Sequence, residues 1–161
     1  MNVPFVNLGL QYQNLREEIL NTFDYLSSRG EFILGEELEK FEKEFAKFCN
    51  TKYSLGLGNG SDGLSFSLKY YGIGQGDEVI LPANTFVASA WSIANIGAIP
   101  VFVDVKNDYN IDPEKIKNAI SSRTKAIMPV HLTGKIAEMF EILKIAKSKN
   151  LIVIEDSAQA I

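Results

Sequence analysis

The sequence is poor in the residues that form covalent cross-links and metal centres. Among its 161 residues it has one cysteine, Cys49, and one histidine, His131. A single cysteine excludes a disulfide within the chain. One cysteine and one histidine are also too few for a zinc site built from nitrogen and sulfur ligands. We therefore expect no metal site.

Long apolar runs and clusters of positive charge are missing as well. Nowhere do about 18 apolar residues follow one another, and the first residues lack a basic stretch followed by an apolar core. The formal net charge is -4, with no block of lysines and arginines. We therefore expect a cytoplasmic protein that binds neither nucleic acid nor a membrane. Catalysis on a small molecule fits this composition better.

The chain does have enough apolar residues to build a core. Hydrophobic residues make up 46% of it, as in an ordinary globular domain. The spacing of an amphipathic helix occurs over residues 10–26 and again over residues 36–48. We assign residues 1–30 to an amino-terminal arm and helix, and residues 31–161 to a large domain. Cys49, at the end of the second helix, is expected to be at least half-buried.

From residue 53 onward, short β-rich runs alternate with helical segments. Strands are predicted near 53–57, 79–82, 100–103, 126–130 and 151–155, and helices near 62–71, 86–96, 113–120 and 137–148. This alternation predicts an α/β fold with a mostly parallel sheet and helices on both faces. Trp91, in an apolar helical segment, is expected in the core.

A glycine-rich turn, GNGSDG at residues 58–63, joins the first of these strands to the first of these helices. Such a turn lets backbone approach an anion, and the helix start offers unpaired N–H groups, so we expect a phosphate there. Ser61 falls at the expected N-cap position. Because residue 64 is not Glu or Gln, no capping box forms, and the Ser61 hydroxyl is free to bind a ligand oxygen together with the N–H of Asp62. An ordinary capped helix is the simpler alternative.

The same turn matches G-x-G-x-x-G, the fingerprint of dinucleotide-binding folds. That interpretation requires an acidic residue at the carboxyl end of the second strand, where it would hold the ribose hydroxyls. In this sequence Asp77 and Glu78 stand at the beginning of the strand, and residues 83–86 follow its end. A nicotinamide- or flavin-dependent oxidoreductase is therefore the weaker alternative to a protein that binds a monophosphate.

Polar and aromatic residues follow each predicted strand. Open α/β sheets bind ligands beyond the carboxyl ends of their strands, so we expect one site at that edge. The residues in question are Gly58 to Asp62, Asn84 to Phe86, Asp104, His131 and Asp156 to Gln159. A lone histidine after a buried strand is more often structural than catalytic, and His131 is expected to support the site.

These segments resemble the pyridoxal-phosphate-dependent nucleotide-sugar aminotransferases of the DegT and StrS type. The resemblance covers nearly the whole chain. It rests on ordered segments at the family's spacing: FILG at 32–35, GNGSD at 58–62, GQGDEV at 74–79, PANTF at 82–86, PVFVD at 100–104, PVHL at 129–132 and EDSAQA at 155–160. It implies the large domain of the aspartate aminotransferase fold, incomplete at its carboxyl end, with pyridoxal 5'-phosphate (PLP) as cofactor.

The resemblance also implies roles for six residues. Asp156 would hold the pyridinium nitrogen of the cofactor in its protonated form, because an adjacent negative charge favours the cation; it is the candidate catalytic residue. A capping aspartate after a buried strand is the alternative interpretation of Asp156. Phe86 would stack on the ring, and Gln159 would hydrogen-bond the ring hydroxyl. The phosphate cradle would consist of Gly60, Ser61 and Asp62.

For the intact protein, the resemblance implies transfer of an amino group from an amino acid, with glutamate as the expected donor, to a nucleotide-linked ketosugar. Polysaccharide or antigen sugar biosynthesis and a homodimer are implied as well. The family's Schiff-base lysine is expected beyond Ile161, so residues 1–161 alone are expected to be inactive. Two alternatives stay open: a non-catalytic module that binds a phosphate, a nucleotide sugar or a full-length partner, and a PLP-dependent sugar dehydratase without the lysine. Gly63, where the family usually has alanine, is expected to weaken its helix.

Overall fold

The computed structural model describes residues 3–161. It contains, in chain order, α1 (Leu8–Arg29), α2 (Glu36–Phe48), α3 (Gly60–Tyr70), β1 (Glu78–Pro82), α4 (Val87–Ala94), β2 (Ile99–Val103), α5 (Pro113–Ala119), β3 (Thr124–Ile127), α6 (Met139–Lys149) and β4 (Ile152–Val153). Within residues 3–161, no helix combines the length and the apolar character needed to cross a membrane.

The chain divides into two compact units, one extending to Gly56 and the other running from Leu57 to Ile161. The predicted division into residues 1–30 and residues 31–161 stays a prediction.

The first unit contains α1 and α2, and both predicted helices are confirmed. The side-chain oxygen of Asn7 caps α1 by accepting the N–H of Leu10 at 3.1 Å. Gly30 ends the same helix in the left-handed conformation, with φ 68°. Cys49 is exposed, contrary to expectation. It is the C-cap residue of α2 and so lies in the turn rather than on the apolar stripe of the helix.

The second unit contains a four-stranded sheet with strand order β2-β1-β3-β4, and every pairing between these strands is parallel. The central strand β1 is fully buried. Its Ile80 pairs with Val101 on one side and with Ile127 on the other. The predicted parallel sheet is therefore confirmed.

Helices cover both faces of this sheet. Successive residues of a strand point to opposite faces, and the two apolar clusters of the unit follow that alternation. Leu81 belongs to a cluster with Leu68 of α3 and Ile93 of α4. Its neighbour Ile80 belongs to a second cluster with residues of α5 and α6, including Ile142. The predicted layers are present, with α3 and α4 on one face and α5 and α6 on the other.

Two sequence predictions about apolar residues are wrong. Residues 53–57 do not form a strand in the described structure, because no neighbouring strand pairs with their backbone groups. Trp91 is 62% exposed rather than buried. The buried face of α4 consists instead of Ser89, Ser92 and Ile93, which leaves the tryptophan on the outer face.

Glu78, the first residue of β1, forms several polar contacts at the amino-terminal end of the sheet. Its carboxylate accepts hydrogen bonds from the Ser121 hydroxyl and, at 3.4 Å, from the Thr124 hydroxyl, and it pairs with the Arg123 guanidinium at 2.6 Å. The Ser121 hydrogen bond and the Arg123 charge hold the pKa of Glu78 below its ordinary value. This acid therefore has a structural role at the edge opposite to the expected site, and it is not placed to hold a ribose.

Candidate functional site

A cavity of about 310 Å³ lies in the second unit, at the carboxyl edge of the sheet. Its lining comes from four separated segments, within residues 59–64, 85–88, 130–132 and 156–159. The structure thus brings together residues from four of the five segments that follow the predicted strands, whereas Asp104, which follows the third, does not line the cavity. Among the six candidate site residues, Gly60, Ser61, Phe86, Asp156 and Gln159 line it, whereas Asp62 does not.

Backbone pairing beyond the named strands places Asp156 at the cavity. Val130 and Asp156 form an isolated parallel bridge that continues the alignment of β3 with β4. The N–H of Asp156 donates to the carbonyl of Pro129 at 2.9 Å, and the N–H of His131 donates to the carbonyl of Asp156 at 3.1 Å. Asp156 is therefore positioned by the sheet itself rather than by a loose loop.

One end of the cavity is the first turn of α3, and its N-cap is Asn59 rather than Ser61. The Asn59 side-chain oxygen accepts the N–H of Asp62 at 2.9 Å, while its amide nitrogen donates to the Asp62 carboxylate at 3.0 Å. The prediction that Ser61 is the N-cap is wrong, and the Asp62 N–H already has an acceptor within the protein. Asparagine caps helices as well as serine does, so residue types alone could not distinguish the two positions.

This shift changes which groups at the helix start are available to an anion. Gly60 and Ser61 occupy the first two helical positions, whose N–H groups have no intrahelical acceptor. The Ser61 hydroxyl adds a third donor. A Cβ placed on Gly60 would meet no protein atom within 4 Å, and the φ of Gly60 is not in the left-handed range. Neither backbone conformation nor protein packing therefore requires glycine at this position.

The other end of the cavity carries the Asp156 carboxylate. One of its oxygens accepts the Ser89 hydroxyl at 2.7 Å, and the other accepts the N–H of Ala158 at 3.2 Å. Ser89 was not among the residues singled out from the sequence. The only available signal was a pair of serines, Ser89 and Ser92, in a mostly apolar helical segment, which is too common to indicate a partner 67 residues away.

Between the two ends, the walls are mostly apolar. Leu64, Ala88 and Val130 line the cavity together with Phe86. The Phe86 side chain is 68% exposed, so its ring does not belong to the core. Gln159 is also exposed and lines the cavity from the segment that carries Asp156.

His131 is 2% exposed and has partners at both ring nitrogens. Its Nδ1 accepts the N–H of Ala137 at 3.2 Å, and its Nε2 lies 3.0 Å from the Glu155 carboxylate. Because Nδ1 accepts, the ring proton belongs on Nε2, which donates to Glu155. The imidazole thus closes the loop of residues 131–137, in agreement with a supporting role.

Two ion pairs tie the same loop region to the segment after β2. Lys135 lies 2.7 Å from Asp108, and Lys106 pairs with Glu138. The hydrogen bond from Lys135, assisted by the backbone N–H of Asn110, lowers the pKa of Asp108 to about 2. These two ion pairs join the loop and the start of α6 to the segment after β2, and Leu132 of the same loop lines the cavity.

The cavity suits a flat ring that bears a phosphate. Two backbone N–H groups and a hydroxyl at a helix start suit an anion. The Asp156 carboxylate at the other end suits a cationic ring nitrogen. The apolar walls, which include Phe86, suit the faces of a flat ring. No lysine is found among the lining residues in the part of the chain that the structure describes.

Comparison with known proteins agrees with this chemistry. The model of the DegT/DnrJ/EryC1/StrS aminotransferase family matches residues 13–161. A dTDP-3-amino-3,6-dideoxy-alpha-D-galactopyranose transaminase from Aneurinibacillus thermoaerophilus is 47% identical over 98% of this chain and 44% of its own length. A pleiotropic regulatory protein from Geobacillus stearothermophilus is 48% identical over 100% of this chain and 44% of its own length.

A solved structure shares the fold. The structure of NtdA from Bacillus subtilis with bound cofactor PMP superposes with a TM-score of 0.96 at 38% identity, covering 99% of this chain and 37% of NtdA. The chain therefore spans less than half the length of the proteins that it matches.

Proposed function

Because the chain belongs to the DegT/DnrJ/EryC1/StrS aminotransferase family, we propose that it forms the cofactor-binding part of a PLP-dependent sugar aminotransferase. The intact protein would move an amino group from an amino acid, with glutamate as the expected donor, to a nucleotide-linked ketosugar. The observation that carries this proposal is the cavity that joins the α3 start to Asp156. The related transaminase of a dTDP-linked sugar and the PMP-bound NtdA structure support the substrate class and the cofactor.

The start of α3 would hold the cofactor phosphate. The N–H groups of Gly60 and Ser61 and the Ser61 hydroxyl are the proposed donors, and the positive end of the helix dipole favours the anion. Asp62 contributes differently from our expectation, because its N–H and carboxylate both bond to Asn59. Its proposed role is to keep the first turn of α3 in the conformation that presents the other two N–H groups.

The opposite end would hold the ring. When bound, PLP supplies an electron-withdrawing ring that takes up electrons from the reacting substrate carbon. Asp156 is proposed to keep a proton on the ring nitrogen, since an adjacent carboxylate favours the cation. Phe86 is proposed to stack on one ring face, and Gln159 to bond the ring hydroxyl, as the family resemblance implies.

We also propose that residues 1–161 bind the cofactor without supplying the nucleophile. The support is that the cavity lining contains no lysine within the described residues. A non-catalytic binding role for this stretch alone is the second candidate function, and the same observation favours it. Amino transfer from glutamate by the purified 161-residue chain would contradict this part of the proposal.

The wider setting rests on the family and on composition. We propose a cytoplasmic homodimer that serves polysaccharide or antigen sugar biosynthesis, with a nucleotide sugar and an amino acid as its partners. The relative named as a transaminase of a dTDP-linked aminosugar supports the nucleotide sugar as a partner. The net charge of -4 without a basic cluster supports small-molecule partners rather than nucleic acid or a membrane.

The test is a titration with PLP, followed by absorbance, of the purified wild-type chain and of two variants. We expect saturable binding to the wild-type chain and weaker binding to Asp156→Asn. The matched control is Asp104→Asn, an identical change at an aspartate that also follows a strand but does not line the cavity. Borohydride reduction followed by mass spectrometry should detect no lysine adduct. Equal effects of the two substitutions would refute the assignment of Asp156 to the ring.

A further inference from the structure

Ser89 lies on the buried face of α4 and is 0% exposed. Its hydroxyl donates to the Asp156 carboxylate at 2.7 Å and lies 2.8 Å from the Thr85 hydroxyl. A serine has one hydroxyl proton. Because that proton goes to the carboxylate, the Thr85 hydroxyl must donate to Ser89. The three side chains thus form one directed chain of hydrogen bonds that ends on Asp156.

The neighbouring serine of the same helix behaves differently. Ser92 is also 0% exposed, but its hydroxyl has only backbone carbonyls as acceptors, that of Ala88 in its own helix at 2.7 Å and that of Ser61 in α3 at 3.1 Å. Bonding to a carbonyl four residues earlier is the usual arrangement for a serine inside a helix. Ser89 donates instead to a side-chain carboxylate, that of Asp156. Local helix geometry therefore does not explain the orientation of Ser89.

The Ser89 contact limits how the Asp156 side chain can turn. The terminal torsion of an aspartate is broad, so a carboxylate held at one oxygen only would sample a range of orientations. In this structure one oxygen is held by Ser89 and the other by the N–H of Ala158. The two contacts together fix the plane of the carboxylate at the cavity.

We propose that Ser89 is a positioning residue that orients Asp156 toward the ring nitrogen of the cofactor. This inference rests on the proposed function, because it concerns the same site. Ser89 does not line the cavity, so its effect on the ring would pass through Asp156. Charge-assisted hydrogen bonds depend strongly on direction, and a carboxylate free to turn would hold the ring nitrogen less well.

The test compares two ligands that differ only at the ring nitrogen. PLP and its 1-deaza analogue, in which carbon replaces that nitrogen, are titrated into the full chain. The dissociation constant of the analogue divided by that of PLP is the ratio that measures the contact between Asp156 and the nitrogen separately from the phosphate contacts. We expect Ser89→Ala to lower the preference for PLP about three- to tenfold. Ser92→Ala is the matched control. The Ser92 hydroxyl bonds the Ala88 and Ser61 carbonyls and not Asp156, so any loss at the phosphate end should affect both ligands alike and leave the ratio within about twofold of the wild-type value.

A double substitution separates positioning from a general loss of structure. In an Asp156→Asn background, Ser89→Ala should change the ratio no further, because the residue through which it acts has lost its charge. A merely structural serine would weaken both ligands equally and leave the ratio unchanged. Thermal unfolding of each variant shows whether any loss reflects unfolded protein.

Failure of this inference and failure of the proposed function give different results. If Asp156→Asn lowers the ratio and Ser89→Ala does not, the positioning role is refuted and the proposed site stands. If Asp156→Asn leaves the ratio unchanged, Asp156 does not bind the ring nitrogen, and the positioning role of Ser89 is refuted as well. If the wild-type chain binds neither ligand, both proposals are overturned.

Discussion

Two glycines in the first turns of α3 provide a sharp test of the proposed phosphate site. Gly60 and Gly63 occupy the first and fourth helical positions, and neither has a φ in the left-handed range. Gly60 lines the cavity, whereas Gly63 does not. Replacing each by alanine adds the same methyl group to the same helix. The pair therefore separates helix stability from ligand binding.

For Gly63→Ala we expect a more stable protein. The added Cβ would meet a Leu57 methyl group at 3.5 Å, an ordinary van der Waals contact. Alanine is favoured over glycine inside a helix by about 1 kcal/mol, so we expect the free energy of unfolding to rise by roughly 0.5–1 kcal/mol. Affinity for PLP should stay unchanged. Denaturant unfolding measures the free energy of unfolding, and its dependence on denaturant concentration should have an unchanged slope. Absorbance titration measures the affinity for PLP.

For Gly60→Ala we expect little change in stability but weaker binding of PLP. No protein atom lies within 4 Å of the added Cβ, so stability should change by no more than about 0.5 kcal/mol. The methyl group would occupy space that the phosphate needs, and overpacking of this kind weakens binding on the order of tenfold. If Gly60→Ala binds PLP as tightly as the wild-type chain, the phosphate does not lie against this turn. The same conclusion follows if Gly63→Ala weakens binding equally.

Three further predictions concern the same unit. Asn59→Ala should lower the free energy of unfolding by about 1 kcal/mol in denaturant titrations, because α3 loses the cap that accepts the Asp62 N–H; Asn59→Ser retains an acceptor without placing a second carboxylate against Asp62 and should lose less. The Asp108 carboxylate has a pKa lowered to about 2 from 3.8 by Lys135. Its contribution to stability is therefore present above about pH 4 and is lost as the pH falls toward 2. Unfolding measured across this range should show a shallower pH dependence for Asp108→Asn, and an identical dependence would contradict the contribution of this ion pair. Phe86→Ala should weaken PLP binding about two- to tenfold, because ring stacking contributes roughly 0.5–1.5 kcal/mol, and it should leave thermal stability unchanged, because the side chain is 68% exposed.

Most of the fold of the second unit could be predicted from the sequence because its signals are local. Strand residues such as Val79 and Ile80 form a short apolar run between turns, and that pattern requires a buried strand of a parallel sheet. The predicted strand at residues 53–57 has the same local character but lacks a paired neighbour in the described structure. Local pattern predicts that a segment can form a strand, whereas pairing decides whether it does.

The site shows the same division. The glycine turn and the segment around Asp156 could be identified because each has a characteristic order of residue types, and both line the cavity. The N-cap was misassigned because Asn59 and Ser61 are equally suitable residue types. The backbone path into α3 decided between them, and Asn59 has the extended conformation of an N-cap.

The sequence by itself determined the alternation of strands and helices and the segments that meet at the sheet edge, because periodicity along the chain encodes them. The family was indicated by the resemblance of its ordered motifs to those of a known family. Only the tertiary structure decided that the Asp62 N–H bonds to Asn59, that Trp91 faces outward, and that Ser89 holds Asp156. These outcomes depend on which face of a helix is buried and on contacts between residues distant in the chain. Such contacts arise only when the sheet and its helices have packed together.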